Sequence, residues 1–442
     1  MPSLPNWPAA TDELIRHLQA LIRLDTTNPP GNEIVAAEYI AGVLRAERIE
    51  PVVLESAPGR GNVVARLKGR GDAPPLLLFG HTDVVGVEPQ FWTYPPFGGE
   101  IHGGYLYGRG AVDMKGTVAM QLVTFLLLKR CGESLARDVI FAATADEEHL
   151  GSYGIAWIAR HHPDLIRAEY GLSEIGGYPV YVKGRRVFLL QAAEKGTVWL
   201  KARAKGKPGH ASMPHDDNAV AHLSRAVERI ARRGLPFHLT AAASGFLDGF
   251  AEVAGPGVRL LKNPFLERLA LRRAIPDESQ RIAVYATLHN TATPTGLQAG
   301  IKHNVIPSQA EALIDGRTLP GFTTGMFLEE LRPVLGKGIE IEVLQESPPL
   351  EARLDTPLYA AMVAGLRRHA PDAVVVPYMM SGATDAKCVA PLGIQTYGFS
   401  PLDLRPGDDI RSWFHSHDER VPLEGLAWGL PVFYEVVRDF CR

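Results

Sequence analysis

Cysteine is scarce in this chain of 442 residues, which carries only three. Cys131, Cys388 and Cys441 are far apart and odd in number, so they supply neither a disulfide framework nor a thiolate zinc site. Long apolar runs are missing as well. No stretch reaches the roughly 18 residues that a membrane span needs. Charge of one sign is also lacking: the formal net charge of -3 gives no reason to expect a nucleic-acid or acidic-membrane partner. Arg232-Arg233 and Arg272-Arg273 read as solvated helix faces. The opening Met1-Pro2-Ser3-Leu4-Pro5-Asn6-Trp7-Pro8 has neither the basic nor the apolar region of a secretory signal, so a cytoplasmic location is expected.

What is present is an ordinary globular composition, 46% hydrophobic and 21% charged, in a chain longer than one hydrophobic core usually serves. Two domains are therefore expected. The first ~190 residues alternate helical and strand patterns, which favours a mostly parallel sheet. Thr11, followed by Asp12 and Glu13, is suited to cap a first helix. Residues 117–129 read as a buried helix, and Gly98 to Gly110 as a loop carrying hairpin turn residues. A different rhythm begins near Glu194. Strands are expected at Thr197 to Ala204, Ala283 to Leu288, Glu311 to Asp315 and Ile339 to Leu344, with helices at Ala219 to Arg232 and Thr324 to Leu335. That order, β-α-β-β-α-β, is the ferredoxin-like pattern. Beyond it, Leu358 to Arg368 reads as a helix and Val374 to Val376 as a strand. The fold class is thus α/β: a mixed, mostly parallel sheet sandwiched by helices, with a ferredoxin-like α+β domain inserted. The expected boundaries are 1–194 and 346–442 for the split domain and 195–345 for the insert. Phe237, Phe246, Phe250 and Phe265, in the least legible stretch, read as core in preference to a pocket lining.

The chemistry gathers at strand ends. Leu76-Leu77-Leu78-Phe79-Gly80 fits a strand buried on both faces, and His81-Thr82-Asp83 follows it directly. Val139 to Ala145 leads in the same way into Asp146-Glu147-Glu148. Open α/β sheets build their sites at the carboxyl ends of strands, so these groups share an edge. Carboxylates gathered there repel one another unless a proton or cation neutralises them, and a divalent metal does so economically. Glu174 ends a further apolar segment, and His415-Ser416-His417-Asp418-Glu419 is a dense polar cluster in which either histidine could serve. Singly, each has a simpler explanation: Asp113 as a helix cap, Glu147-Glu148 as a solvated pair, His81 as a hydrogen-bonded core residue. Jointly, His81, Asp113, Glu147, Glu148, Glu174 and His415 read as one metal cage. Asp83 would orient His81 through the other ring nitrogen.

The strings His81-Thr82-Asp83, Gly108-Arg109-Gly110-Ala111-Val112-Asp113-Met114-Lys115-Gly116, Asp146-Glu147-Glu148 and His415 to Glu419 resemble those of the co-catalytic zinc peptidases and deacylases. That family includes aminoacylase, acetylornithine deacetylase, succinyl-diaminopimelate desuccinylase and carboxypeptidases G and S. The resemblance covers nearly the whole chain and implies a zinc-exopeptidase-like fold with an inserted lid and dimerisation domain. It implies two Zn2+ ions, with Co2+ or Mn2+ acceptable to the same donors. Asp113 would bridge them, His81 and Glu174 completing one set and Glu148 and His415 the other. The family's spacing of histidine and glutamate selects His415 over His417. Glu147 would be the general base, and the Asp113-Met114 peptide would be cis.

The same resemblance extends to the insert. Gly209-His210-Ala211-Ser212-Met213-Pro214 looks like a lid motif whose histidine stabilises an oxyanion in a neighbouring subunit, which implies a homodimer through the inserted domain. His303-Asn304-Val305-Ile306-Pro307 and Asp315-Gly316-Arg317 resemble positions that grip a substrate carboxylate, through Asn304 and Arg317. Ser381-Gly382-Ala383-Thr384-Asp385 matches a glycine-rich substrate loop, giving Gly382 and Thr384 as contacts; Ala383 stands where the family often has a second glycine. The implied reaction is hydrolysis of an amide bond beside a free carboxylate, in a dipeptide or N-acyl amino acid. One competing reading is a metal-dependent protein that binds amino-acid derivatives without turnover. Phosphoester hydrolysis is disfavoured, because the chain lacks a Gly-x-x-x-x-Gly-Lys-Ser/Thr phosphate loop.

Overall fold

A computed structural model describes residues 4–149, 151–275 and 277–442. The chain divides into two compact units. One comprises Met1–Ala192, Ala352–Tyr378 and Thr384–Arg442; the other comprises Ala193–Glu351 with Met379–Ala383.

In the first unit the apolar runs become the central strands of a mixed sheet. Arg137–Thr144, Ala73–His81, Tyr170–Ser173 and Gln395–Gly398 lie side by side and parallel. Antiparallel strands flank them: Gly61–Leu67 and Val52–Glu55 on one side, Arg185–Glu194 on the other. Leu76, Leu77, Leu78 and Phe79 are fully buried, as a strand covered on both faces requires. The helix Lys115–Arg130 is buried along nearly its whole length, which explains its near-continuous apolar sequence. The loop from Gly98 to Gly110 holds the short hairpin Glu100–His102 and Tyr105–Tyr107. Parallel pairing has one functional consequence: the carboxyl ends of all four central strands open on the same edge.

The second unit is an antiparallel sheet in the order Thr291–Ala299, Gln309–Thr318, Gly196–Lys205, Ile339–Ser347. The helices Ala219–Arg233 and Thr324–Leu335 cover one face. Val198, Leu200, Ala202 and Ala204 meet Leu223, Ala226, Ile230, Phe327 and Leu331 there, so period-2 strands and period-3.6 helices share one core. This is the β-α-β-β-α-β order with a helical excursion, Ala241–Ala254, Glu267–Ala274 and Glu278–Leu288, placed before the second strand. Among the described residues no helix is long and apolar enough to cross a membrane.

Several expectations are corrected. The segment Ala283 to Leu288 belongs to the helix Glu278–Leu288, not to a strand. Asp277 caps it by accepting from the Gln280 N–H, and the strand starts instead at Thr291. Thr11 does not open the first helix, which runs Trp7–Arg23 behind an Asn6 cap. Pro8 fits that first turn because its missing N–H is not needed there. Phe237 and Phe246 pack against the core of the helical excursion, whereas Phe265 is 93% exposed and is not core.

Candidate metal centre

Every candidate ligand stands at the shared sheet edge or in a loop leading to it. His81 is the last residue of its strand, Glu147 and Glu148 follow Arg137–Thr144, and Glu174 follows Tyr170–Ser173. Asp113 lies two residues before the helix Lys115–Arg130, whose cap position is Met114 with no side-chain cap. The Asp113 carboxylate is therefore not a helix cap. One of its oxygens lies 3.2 Å from His81 Nε2, and the other lies 3.2 Å from His415 Nε2.

Two overlapping sets result. His81, Asp113 and Glu174 form one, with His81 Nε2 3.6 Å from Glu174 Oε2. Asp113, Glu148 and His415 form the other, with His415 Nε2 3.1 Å from Glu148 Oε2. In each set the ligand atoms all lie within 4.8 Å of one another. Glu147 belongs to neither set, and its Oε2 is 4.0 Å from His81 Nε2. His417, the rejected neighbour, pairs with Glu88 instead. The Asp113-Met114 peptide is cis.

The electrostatics describe a cage short of positive charge. Burial pushes the Glu174 carboxyl up to about 7, and it pushes Glu147 well above the usual range with help from the Glu174 charge. Glu148 is raised by burial too, although His415 opposes the shift. The imidazole of His415 is raised to about 10 by its hydrogen bonds to Asp113 and Glu148. Burial disfavours the charged form of His81, yet Asp113, Asp83 and Glu174 more than compensate and raise it.

The residues present fit a pair of divalent ions. Glu148 Oε1 is buried and has no hydrogen-bond partner, so it is an acceptor without a donor. Histidine nitrogens with carboxylate oxygens suit zinc, cobalt and manganese alike. Backbone strain points the same way. Among the described residues six non-glycines have positive φ, and three of them are at the candidate centre: His415 itself, Ile175 next to Glu174, and Asp146 two residues before Glu148. A β-branched residue such as Ile175 at φ 60 is a conformation that persists only when its surroundings enforce it. Gly398 has a role here, because a Cβ at that position would collide with the carbonyl oxygens of Glu174 and Ile175.

Behind the ligands lies a buried polar network. Asp83 faces His81 Nδ1 at 3.4 Å through Oδ1 and accepts the backbone N–H groups of Glu147 and Glu148 at 3.1 Å each. One carboxylate thus contacts the His81 ring and the turn that carries Glu147 and Glu148. Asn28 donates to both Asp83 and Asp146. Arg60 donates to Asp146 and, through two nitrogens, to Glu33. Asn28, Glu33 and Arg60 were not signalled by any motif. Asp385 is a further buried carboxyl, with Oδ2 unpartnered and its pKa pushed well up by burial. Thr384 beside it is buried, and its Oγ1 accepts the Ala386 N–H.

The remaining candidates lie in the second unit. His210 is exposed, and its Nδ1 lies 2.7 Å from the Ser212 hydroxyl and 3.2 Å from the Ser212 N. Asn304 is exposed, and its backbone carbonyl accepts from the Ala211 N–H. Arg317 is gripped bidentately by Asp315, at 2.7 and 3.0 Å, while its Nη1 donates to Thr197. Gly382 falls in the short stretch Met379–Ala383.

Residues 77–439 match the family model for peptidase family M20/M25/M40. Aminoacylase-1B of Rattus norvegicus is 26% identical over 426 residues, covering 94% of this chain and 92% of the relative. Probable carboxypeptidase S-like 2 of Dictyostelium discoideum is 27% identical over 386 residues, covering 83% and 71%. The M20 family metallo-carboxypeptidase Sso-CP2 from Sulfolobus solfataricus superimposes with a TM-score of 0.70 at 21% identity, covering 97% of this chain and 99% of that one.

The Arg60 pairs yield a prediction. Arg60 Nη2 lies 2.7 Å from Glu33 and 2.8 Å from Asp146, and all three side chains are buried. Arg60→Met would strand two buried carboxylates, with an expected loss of about 3–5 kcal/mol in urea unfolding. A loss below ~1 kcal/mol would show that the network does not hold this turn.

Proposed function

The chain belongs to peptidase family M20/M25/M40, and from that premise we propose that it is a metal-dependent hydrolase of an amide bond beside a free carboxylate, in a dipeptide or N-acyl amino acid. One observation carries the reading: Asp113 is shared between two candidate ligand sets, while Glu147 stands beside them and belongs to neither. The names of the relatives, an aminoacylase and a carboxypeptidase S-like protein, agree with that substrate class.

His81, Asp113 and Glu174 would hold one ion and Asp113, Glu148 and His415 the other, with zinc the proposed metal. When bound, such a pair supplies Lewis-acid polarisation of the scissile carbonyl and lowers the pKa of a shared water toward ~7. Glu147 takes the water's proton on a carboxylate oxygen and returns it to the leaving nitrogen. Asp83 keeps that residue in place through the Glu147 N–H and fixes the tautomer of His81. His210 donates from Nε2 to the developing oxyanion. Asn304 and Arg317 grip the substrate carboxylate. For Arg317 this means the Nη1 edge now on Thr197, because the other edge is closed on Asp315. Gly382 and Thr384 line the substrate loop.

Glu147→Gln is expected to keep both metals and lose activity by about 10²–10⁴-fold on a library of dipeptides and N-acyl amino acids. Metal content is to be measured on the same sample. Full metal with near-native turnover would remove Glu147 from the role of base. The proposal includes a homodimer in which His210 serves the partner's site. Mixed His210→Ala and Glu147→Gln proteins should then regain activity after subunit exchange, and continued inactivity after verified exchange would contradict shared sites.

A further inference from the structure

Glu419 is fully buried, yet no step of the proposed reaction uses it. Its carboxylate is saturated by donors from one loop. Oε1 accepts the backbone N–H of Val112 at 2.8 Å and of Asp113 at 3.0 Å. Oε2 accepts the Gly110 N–H at 3.0 Å and Arg109 Nη1 at 2.8 Å. The backbone adds a fifth bond in the same direction, since the Gly108 N–H donates to the Glu419 carbonyl. Five contacts therefore join two segments about 300 positions apart, one carrying Asp113 and the other carrying His415 four residues upstream.

Three backbone N–H groups converging on one carboxylate fix the path of the peptide chain itself, which a side-chain contact alone would not do. Loops seldom bury their backbone donors, and here those donors need an acceptor reached from far along the sequence. A charge-assisted acceptor serving several N–H groups is about twice as strong per bond as a neutral one. Arg109 supplies the countercharge, with Trp92 stacked against its guanidinium at 5.2 Å. A glutamine could not replace this arrangement. Its amide NH2 would face N–H donors on one side and leave at least one of them buried without an acceptor.

We propose that Glu419 is the positioning residue of the metal centre: it clamps the Asp113 loop to the His415 segment, so that the shared carboxylate is in place before any metal arrives. The inference rests on the reading of Asp113 and His415 as ligands. It goes further in assigning preorganisation to a residue that touches neither metal nor substrate. The set Asp113, Glu148 and His415 draws two of its three ligands from the clamped segments, whereas His81, Asp113 and Glu174 draws one. Loss of the clamp should therefore weaken the first set more.

Hydrogen exchange of the metal-free wild-type protein is one test and needs no variant. The amides of Gly110, Val112 and Asp113 should already be protected, with little further gain when zinc is added. Protection that appears only with zinc would overturn the proposal, since the metal would then be ordering the loop. The second test is zinc titration of folded Glu419→Gln, followed by metal analysis and by the absorption spectrum of the cobalt-substituted protein. One of the two binding events should weaken by about 10–100-fold, with an altered spectrum for that site. Arg109→Gln, which removes the countercharge but keeps the carboxylate and its three backbone donors, should weaken that event by less than Glu419→Gln does. Unchanged metal affinity in Glu419→Gln, or an equal loss in Arg109→Gln, would overturn the assignment. Wild-type protein that itself takes up no divalent metal would instead refute the reading of the ligands, so the two failures are distinguishable.

Discussion

The structure turns on one carboxylate placed between two imidazoles. Asp113 presents one oxygen to His81 and the other to His415, and three glutamates crowd the same space. Burial by itself would push each of these acids toward the neutral form, and their mutual repulsion adds to that. Hydrogen bonds to these acids raise the pKa of both histidines, and a pair of divalent ions held by neutral imidazoles would offset the excess charge. Much of the surrounding architecture exists to hold this unfavourable gathering together. Parallel strands deliver their ends to one edge, left-handed residues redirect the chain at Asp146 and Ile175, and buried Arg60 and Arg109 neutralise the acids behind the ligands.

Legibility in the sequence followed the strength of each local signal. The strands ending at His81 and Thr144 were plain because they are buried on both faces and hence apolar without interruption. The six clustered polar residues could be found because each interrupts or follows such a run. Ala283 to Leu288, part of the helix Glu278–Leu288, reads as a strand because Val284, Tyr285 and Thr287 are β-branched or aromatic residues that favour strands. Its Asp277 cap decided the matter locally. Asn28 and Arg60 left no trace. Both sit in turns of mixed polarity, and their importance comes from partners 27 to 118 positions away. Glu419 stood inside a recognised cluster, but its hold on the Asp113 loop appears only in three dimensions.

The second unit contributes a different kind of residue. Its sheet and helices form a core of their own, and His210 and Asn304 stand exposed at the short antiparallel pairing of Gly209–His210 with Val305–Ile306. Arg317 shows how a motif can understate its surroundings. The fork suited to a substrate carboxylate is already closed on Asp315 two residues before it in the same strand. The proposed grip on a substrate carboxylate therefore falls to Nη1, whose present partner is the Thr197 hydroxyl.

The central claim is that two cations sit on either side of the Asp113 carboxylate. An anomalous-scattering map from crystals grown with zinc tests it most directly. The account predicts two peaks about 3.5–4 Å apart, one bounded by His81 and Glu174 and the other by Glu148 and His415. A single peak, or two peaks that do not share Asp113, would contradict it.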